Sequence, residues 1–314
     1  MNLQQMHYIV AVDTYRHFVK AAQSCHVTQA SLSMMVQKLE EELGVKIFDR
    51  SRHPVAPTPV GQKIIEQARI VVREAAKLKE IVEDETLPIS GTLRVGIIPT
   101  LAPYLIPLFL QKFLSKYPKV KLQINELTTK EIVERIKLTQ LDAGILAVPL
   151  NDPNLVEETL FEEEFVVYCS KLDTQLQKKY LLPDELDISR LWLLDEGHCM
   201  RNQVINLCAL KLSERSIHQF DLSAASIETL KKVVDMYEGI TVLPYLAMHD
   251  LTPSQKNNIR FFKEPAPARK IGLISFRYFV KEKMLNALRD EIQGCIPTEM
   301  HSHKKKQILE IYGI

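Results

Sequence analysis

Apolar positions recur at helical spacing through most of the first ninety residues, and from about Leu93 the pattern changes. Beyond that point, short β-rich runs alternate with amphipathic segments, which predicts a mainly parallel α/β architecture with helices between the strands. Pro88 and Gly91 interrupt the periodicity, so we place the boundary within Thr86–Gly91. The chain is therefore predicted to be α/β with an all-α N-terminal part.

A helix–turn–helix followed by a wing is predicted near the N-terminus. Small residues in Phe18–Cys25 allow close helix packing, and Thr28 is a good N-cap for a second helix that Gly44 would end in left-handed geometry. Two short β-like runs follow, at 46–50 and 55–58. A small helical bundle with no partner is the open alternative.

The exposed face of the second helix carries the candidate DNA contacts. Residues 1–60 hold six Lys/Arg against five Asp/Glu, so bulk charge alone does not predict a nucleic-acid partner. We expect one set of side chains to face bases in the major groove, namely Gln29, Ser31, Ser33, Met34 and Gln37. Phosphate contacts are expected from Arg50, Arg52 and His53.

A long helix is predicted to begin at Pro59, with Thr58 as its N-cap. Its apolar positions are separated by steps of 4, 3, 4, 3 and 4 residues, namely Ile64, Ala68, Val71, Ala75, Leu78 and Val82. That spacing is typical of a coiled-coil seam, and such a helix spans ~38 Å. It predicts a rod that pairs two chains; a helix packed on its own domain is the alternative.

Composition narrows the class of protein. The 314 residues are 46% hydrophobic and 25% charged with a net charge of +1, which excludes a disordered chain, collagen and a small disulfide scaffold. No apolar run reaches the ~18 residues of a membrane helix, and the N-terminus does not resemble a secretory signal. We expect a cytoplasmic protein with no membrane partner, no metal and no cofactor. Five cysteines favour redox or catalytic thiol chemistry over a disulfide framework.

Two pairs of residues follow predicted strands and precede predicted helices: Pro99-Thr100 and Thr128-Thr129. Ligands of such sheets bind at the carboxyl ends of strands, and helix N-termini favour anions or polar groups. These threonines are therefore candidate ligand contacts, with simple helix capping as the alternative.

Cys199 is predicted at or just before a helix N-terminus, beside His198 and near Arg201, and these features favour a thiolate. On one unbroken helix, Cys208 would lie ~13 Å along the axis and on the opposite side. A disulfide needs Cα atoms within about 7 Å, so the two could bond only if the segment unwound. Two unrelated cysteines remain the alternative. Cys25 is predicted to be structural, and Cys169 and Cys295 have no assigned role.

Specific motifs in the first part resemble the winged head of LysR-type transcriptional regulators. They are Phe18-x-x-Ala21-Ala22, Thr28-Gln29-x-Ser31-Leu32-Ser33, Lys38-Leu39-Glu40-x-x-Leu43-Gly44, Phe48-x-Arg50 and Thr58-Pro59-x-Gly61. The resemblance implies a winged helix-turn-helix DNA-binding domain at 1–58 and a coiled-coil linker (dimerisation) helix at 59–87. A two-lobed, periplasmic-binding-protein-like α/β effector domain is implied at 88–300, followed by a basic tail at 301–314.

The segment Gly197-His198-Cys199-Met200-Arg201-x-Gln203, with Cys208 following, is similar to the hydrogen peroxide sensors of that family. The resemblance implies that Cys199 forms a sulfenic acid, which Cys208 resolves as a reversible disulfide. It also implies a peroxide pocket lined by Thr100, Thr129, His198 and Arg269. The implied partners are operator DNA, hydrogen peroxide, RNA polymerase and further copies in a homodimer and homotetramer.

The leading hypothesis is therefore a DNA-binding activator of the oxidative stress response, and not an enzyme. A LysR-type regulator that responds to a small organic effector is one alternative. A thiol peroxidase with an accessory head is the other. The arrangement of head and rod argues against the peroxidase, because an enzyme does not need two spaced DNA readers.

Overall fold

The computed structural model of the chain describes residues 1–52, 54–86, 89–170, 178–187, 190–195, 199–207, 224, 226–237, 239–277, 281–301 and 305–310. They form two compact units. One comprises Met1–Pro88 and Tyr278–Glu282, and the other comprises Ile89–Arg277 and Lys283–Ile314.

The first unit contains the predicted winged helix–turn–helix. Its elements are α1 (Leu3–Tyr15), α2 (Phe18–Ser24), α3 (Gln29–Leu43), β1 (Phe48–Asp49), β2 (Ala56–Pro57) and α4 (Pro59–Thr86). The capping predictions are confirmed: Thr28 Oγ1 accepts the Ser31 N–H at 3.2 Å, and Gly44 ends α3 with a φ of 69°. The two wing strands pair antiparallel.

A buried carboxylate fixes the wing to the second helix of the motif. Glu40, on α3, is 2% exposed, and its Oε1 accepts the backbone N–H groups of Ile47 and Phe48 at 2.8 and 3.2 Å. Its Oε2 faces Arg50 Nη2 at 3.5 Å. The carboxylate therefore satisfies backbone donors that would otherwise be buried without partners.

The first turns of the linker helix α4 pack on the head. Thr58 Oγ1 accepts the Gly61 N–H at 2.9 Å, as the capping prediction requires. Ile65 and Ala68 lie in the hydrophobic core of the head, so the alternative of a helix packed on its own domain holds at this end. Further along the seam, Leu78 is 69% exposed within a single chain.

The second unit alternates strands and helices, as predicted. Its strands are β3 (Gly91–Ile97), β4 (Val120–Glu126), β5 (Ala143–Val148), β6 (Leu155–Cys169), β7 (Tyr180–Leu181), β8 (Ile240–Pro244), β9 (Ile259–Phe262), β10 (Ala266–Phe276) and β11 (Lys306–Ile308). Its helices are α5 (Ala102–Lys116), α6 (Thr129–Lys137), α7 (Cys199–Leu207), α8 (Ile227–Met236), α9 (Pro253–Lys256) and α10 (Glu282–Gln293).

The strands are mixed in direction, which corrects the prediction of a mainly parallel sheet. The order is β4-β3-β5-β10-β6-β9-β7; β11 also pairs with β10, and β8 with β6. The long strand β10 lies between β5 and β6 and runs antiparallel to both. The first part of β6 pairs with β10 and its last part with β8 and β9. This strand therefore connects two lobes, the first lobe around β3, β4, β5 and β10 and the second lobe around β7, β8 and β9.

Two further segments differ from expectation. The apolar run Leu191–Leu194 predicts a strand, but in the structure it forms only isolated bridges to Ile240 and Ala224. The segment expected to be a basic tail contributes β11, which pairs in parallel with Ala266–Ala268 of β10. Among the described residues, no helix is long and apolar enough to cross a membrane.

Candidate functional site

Cys199 is the first residue of α7, and its side chain is half-buried. Its Sγ lies 3.1 Å from Thr129 Oγ1, with the thiol as donor. A hydroxyl both donates and accepts, so the same Thr129 group can donate to the sulfur once the thiol has lost its proton. Free N–H groups in the first turn of a helix also favour negative charge. The local geometry therefore surrounds the sulfur with groups that can donate hydrogen bonds to it.

Thr129 is available to the cysteine because its neighbour caps the helix. Thr128 Oγ1 accepts the Glu131 N–H at 3.4 Å, and the Glu131 carboxylate accepts the Thr128 N–H at 2.9 Å. Thr129 is the first residue of α6 and is 3% exposed. Capping is therefore not the role of the Thr129 hydroxyl.

Thr100 does not cap a helix either. The N-cap of α5 is Leu101, which makes no side-chain capping bond. Thr100 is 3% exposed, and its Oγ1 accepts a hydrogen bond from Arg269 Nη1 at 2.9 Å. The capping alternative therefore holds at Thr128 but not at Thr129 or Thr100.

The two threonines leave the sheet at the same edge. β3 and β4 are parallel neighbours whose last residues, Ile97 and Glu126, are paired. The Leu127 N–H donates to the Ile97 carbonyl at 3.0 Å, so the chains remain together beyond the strands. Thr100 and Thr129 each follow three residues later, at the edge where open α/β sheets bind ligands.

Arg269 contacts this edge of the sheet through its hydrogen bond to Thr100. It is 1% exposed, and its Nε and Nη2 lie 2.9 and 2.8 Å from Glu163 Oε2. Its guanidinium carbon lies 5.8 Å from the centre of the Phe165 ring. Within the described residues, its hydrogen bonds lead to Glu163 and Thr100. That Arg269 acts near the thiol itself stays a prediction.

The inner face of α7 packs on the second lobe. Met200 and Val204 are 3% and 2% exposed. They line a small cavity together with Trp192, the only tryptophan of the chain, and Leu230 of α8. The helix that carries Cys199 is thus held by apolar contacts, which an unwound segment would lose.

The C-terminal segment also holds α7. Gln203 is 1% exposed and donates from Nε2 to the Leu309 carbonyl at 3.2 Å. The Leu309 N–H in turn donates to the Ala268 carbonyl at 2.8 Å. Residues after β11 therefore connect α7 to β10, the strand that carries Arg269.

Three predicted site residues lie outside the described residues: His198, Cys208 and His53. The predicted helix after Met200 is confirmed as far as Leu207, the last described residue of this segment. The separation of the two sulfur atoms and the role of His198 stay predictions.

The other three cysteines have different surroundings. Cys25 is half-buried and packs against the core of the head, in keeping with a structural role. Cys169 is fully buried in β6. Cys295 donates from Sγ to the Ile292 carbonyl at 3.0 Å, and burial raises the pKa of its thiol.

The candidate base contacts lie on α3. Gln29, Ser31, Met34 and Gln37 are exposed, and Met34 is 64% exposed. Ser33 is half-buried, and its Oγ accepts from Arg50 Nη1 at 3.1 Å. The face of α3 predicted to read DNA is therefore open over four of its five residues.

The structure describes two of the candidate phosphate contacts, Arg50 and Arg52, and their side chains differ in exposure and in their partners. Arg50 is bonded to Ser33 and Glu40 and lies over the Phe18 ring at 5.0 Å. The Arg52 side chain is 72% exposed and pairs with Asp49 at 3.1 Å. Hydrogen bonds from Ser51 and the charge of Arg52 hold the pKa of Asp49 below its usual value.

Sequence reasoning did not single out Glu163. It lies between Phe161 and Phe165 in β6, and all three are buried. Because side chains alternate along a strand, residues two apart share a face. A glutamate two residues from a phenylalanine on each side is therefore a signal for a buried carboxylate, and hence for a buried cation.

No group of His, Cys, Asp and Glu residues in the described part of the chain could hold a metal ion.

Two protein families match the chain. Residues 3–62 match the family described as "Bacterial regulatory helix-turn-helix protein, lysR family". Residues 88–293 match the family described as "LysR substrate binding domain".

The sequences of several relatives align with nearly the whole chain. The hydrogen peroxide-inducible genes activator of Haemophilus influenzae is 31% identical, over 94% of this chain and 99% of its own length. The DNA-binding transcriptional dual regulator OxyR of Escherichia coli is 33% identical, over 94% and 97%. Among solved structures, full-length OxyR C199D from Pseudomonas aeruginosa aligns with a TM-score of 0.80 and 32% identity, over 94% of this chain and 96% of that one.

Proposed function

The chain belongs to the LysR family of bacterial regulatory helix-turn-helix proteins, and from this premise we propose that it regulates transcription in response to hydrogen peroxide. The relatives named for peroxide-inducible gene activation support this proposal. As a member of this family it is a regulator and not an enzyme. Its proposed role is activation of genes of the oxidative stress response.

One observation carries the proposal: the Cys199 thiol, at the start of α7, lies within hydrogen-bond distance of Thr129 at the start of α6. The thiolate attacks one oxygen of hydrogen peroxide, the O–O bond breaks, and the other oxygen leaves as hydroxide that takes up a proton. The product is a sulfenic acid on Cys199. Thr100, Thr129, His198 and Arg269 are proposed to form the pocket in which peroxide binds.

The second step is proposed to fix the oxidised state. The Cys208 thiol attacks the Cys199 sulfenic sulfur, the S–S bond forms, and water leaves. On an unbroken helix these residues would be too far apart, so formation of the bond requires α7 to unwind. Met200 and Val204 would then leave their buried positions, which links oxidation to a change in the second lobe.

Mass spectrometry of proteolytic peptides after one equivalent of hydrogen peroxide tests this scheme. We expect one disulfide, joining the peptides that contain Cys199 and Cys208, while Cys25, Cys169 and Cys295 remain as thiols. A full set of free thiols after oxidation would instead favour a LysR-type regulator of a small organic effector.

DNA reading is proposed for the open face of α3. Gln29 and Gln37 can pair with adenine edges, Met34 can contact thymine methyl groups, and Ser31 and Ser33 can donate or accept. The wing residues Arg52, Arg50 and His53 are proposed to contact phosphates. We propose a cytoplasmic location, because operator DNA is present there.

Replacing Arg52 with alanine should weaken operator binding and make it less sensitive to salt. Each phosphate contact releases counterions, so loss of one contact in each half-site should reduce the magnitude of the slope of log K against log salt by about 1 per half-site, or about 2 for a dimer on two half-sites. Titration of labelled operator at several salt concentrations measures this slope. Lys121→Ala removes one exposed charge from the second unit and should leave the slope unchanged; an unchanged slope for Arg52→Ala would exclude this phosphate contact.

Dimerisation is proposed along the seam of α4. Leu78 is 69% exposed in the single chain, and Leu78→Lys should raise the dimer dissociation constant about 100-fold, because each copy loses the burial of one leucine. Sedimentation over a range of concentrations measures the effect. Gln67→Lys, at an exposed position off the seam, is the matched control. Equal dissociation constants for the two variants would refute dimerisation through this seam.

We further propose that two dimers pair into a homotetramer and that the regulator contacts RNA polymerase.

A further inference from the structure

Glu163 is a fully buried carboxylate that the scheme above does not use. It is 0% exposed, and both of its oxygens are occupied. Oε1 accepts the Leu246 N–H at 2.9 Å, and Oε2 accepts from Arg269 Nε at 2.9 Å and forms an ion pair with Nη2 at 2.8 Å. A carboxylate bonded on both sides has one orientation, so it fixes the guanidinium that it faces.

The far side of that guanidinium holds Thr100. Arg269 Nη1 donates to Thr100 Oγ1 at 2.9 Å, and Nη2 lies 3.3 Å from the Thr100 carbonyl. Guanidinium groups have donors and no acceptor, so the Thr100 hydroxyl must accept in this contact. Its own proton is then directed to another partner. Three segments of the chain, β6, β10 and the turn after β3, thus form one chain of hydrogen bonds that ends in a donor.

We propose that Glu163 is a positioning residue for the reaction of peroxide with Cys199, acting through Arg269 to hold the Thr100 hydroxyl as a donor to the departing oxygen. This inference rests on the proposed function. When the thiolate attacks one oxygen and the O–O bond breaks, negative charge develops on the other oxygen. A fixed hydroxyl donor stabilises that charge without needing to reorient.

Glu163 and Thr100 then act on the leaving oxygen and not on the sulfur. Attack of Cys199 on iodoacetamide expels iodide and needs no donor to an oxygen, so it reports on the thiolate and on access alone. Comparison of the two reactions therefore separates positioning of Thr100 from general damage to the fold.

The test measures the rates of Cys199 oxidation by hydrogen peroxide and of Cys199 alkylation by iodoacetamide in the full chain. Glu163→Gln should slow oxidation on the order of 100-fold, the range for loss of one such donor, and leave alkylation and its pH profile unchanged. Thr100→Val should have the same effect. The double variant should be no slower than Thr100→Val alone, because Glu163 acts only through Thr100.

Glu162→Gln is the matched control. It removes the same charge from the next position of β6, where the half-exposed side chain lies 3.9 Å from Lys306 and does not share the face of Glu163. Both of its rates should equal those of the parent chain. Glu163→Asp keeps the buried charge balanced but shortens the side chain, and it serves if Glu163→Gln does not fold; it too should slow oxidation alone.

Three results would overturn the proposal: equal losses in oxidation and alkylation, additive losses in the double variant, or parental oxidation rates in both Glu163 variants. Failure of the proposed function looks different, because the parent chain itself would then form no sulfenic acid at Cys199 with hydrogen peroxide.

Discussion

Replacing Cys199 with serine is expected to abolish the peroxide-dependent change in transcription and to leave operator binding intact. The serine hydroxyl is close in size to the thiol. It can still donate a hydrogen bond to Thr129, as the Cys199 thiol does at 3.1 Å. It cannot form a sulfenic acid, so neither the oxidised sulfur nor a disulfide follows. Transcription from the operator in vitro, with and without hydrogen peroxide, measures the response, and gel-shift titration measures binding.

Cys295→Ser is the matched control for that variant. Its thiol is also half-buried and donates to a carbonyl, but burial raises its pKa and disfavours the reactive thiolate. This variant should respond to peroxide like the parent chain. An undiminished transcriptional response to peroxide in Cys199→Ser would contradict the assignment of Cys199 as the sensing residue.

Replacing Gly61 with alanine is expected to destabilise the head strongly and to weaken DNA binding. A Cβ at this position would lie 2.0 Å from the Ile47 carbonyl oxygen, and that backbone is fixed by the Thr58 N–H at 2.9 Å. Because no flexible side chain can move away, the cost should be about 3 kcal/mol or more. Thermal unfolding and operator titration should both show the loss, while the second unit should still form sulfenic acid at Cys199.

Gly44→Ala provides the comparison, because nothing lies within 4 Å of the added Cβ and only the φ of 69° opposes it. Backbone strain alone should cost about 1–2 kcal/mol. The Gly61 variant should therefore be the less stable of the two. The opposite order would contradict the close approach of Gly61 to Ile47.

Local signals predicted much of the fold because each depends on a few neighbouring residues. The N-caps at Thr28 and Thr58 and the left-handed Gly44 follow from side-chain chemistry within four positions. Strand direction does not, since a period of two is the same for parallel and antiparallel strands. The mixed sheet around β10 was therefore missed.

The candidate site was predicted in part for the same reason. Cys199 could be placed at a helix N-terminus from adjacent residues. The contact of Arg269 with Glu163 joins positions 106 residues apart, and that with Thr100 spans 169. Only the folded sheet brings such residues together. The sequence predicts a strand at Phe165–Cys169 only, so the first part of β6 was also missed, because its glutamates obscure the apolar alternation.

The bond between Gln203 and Leu309 has a consequence for biosynthesis. A nascent chain released only as far as α7 would lack the strand pairing at Ala266–Ala268 and the carbonyl that anchors Gln203. The helix bearing Cys199 obtains its last support only after residue 309 has left the ribosome. The surroundings of Cys199 are thus complete only after Leu309 has been made, about a hundred residues later than the cysteine itself, as the separation of 106 residues between Gln203 and Leu309 requires.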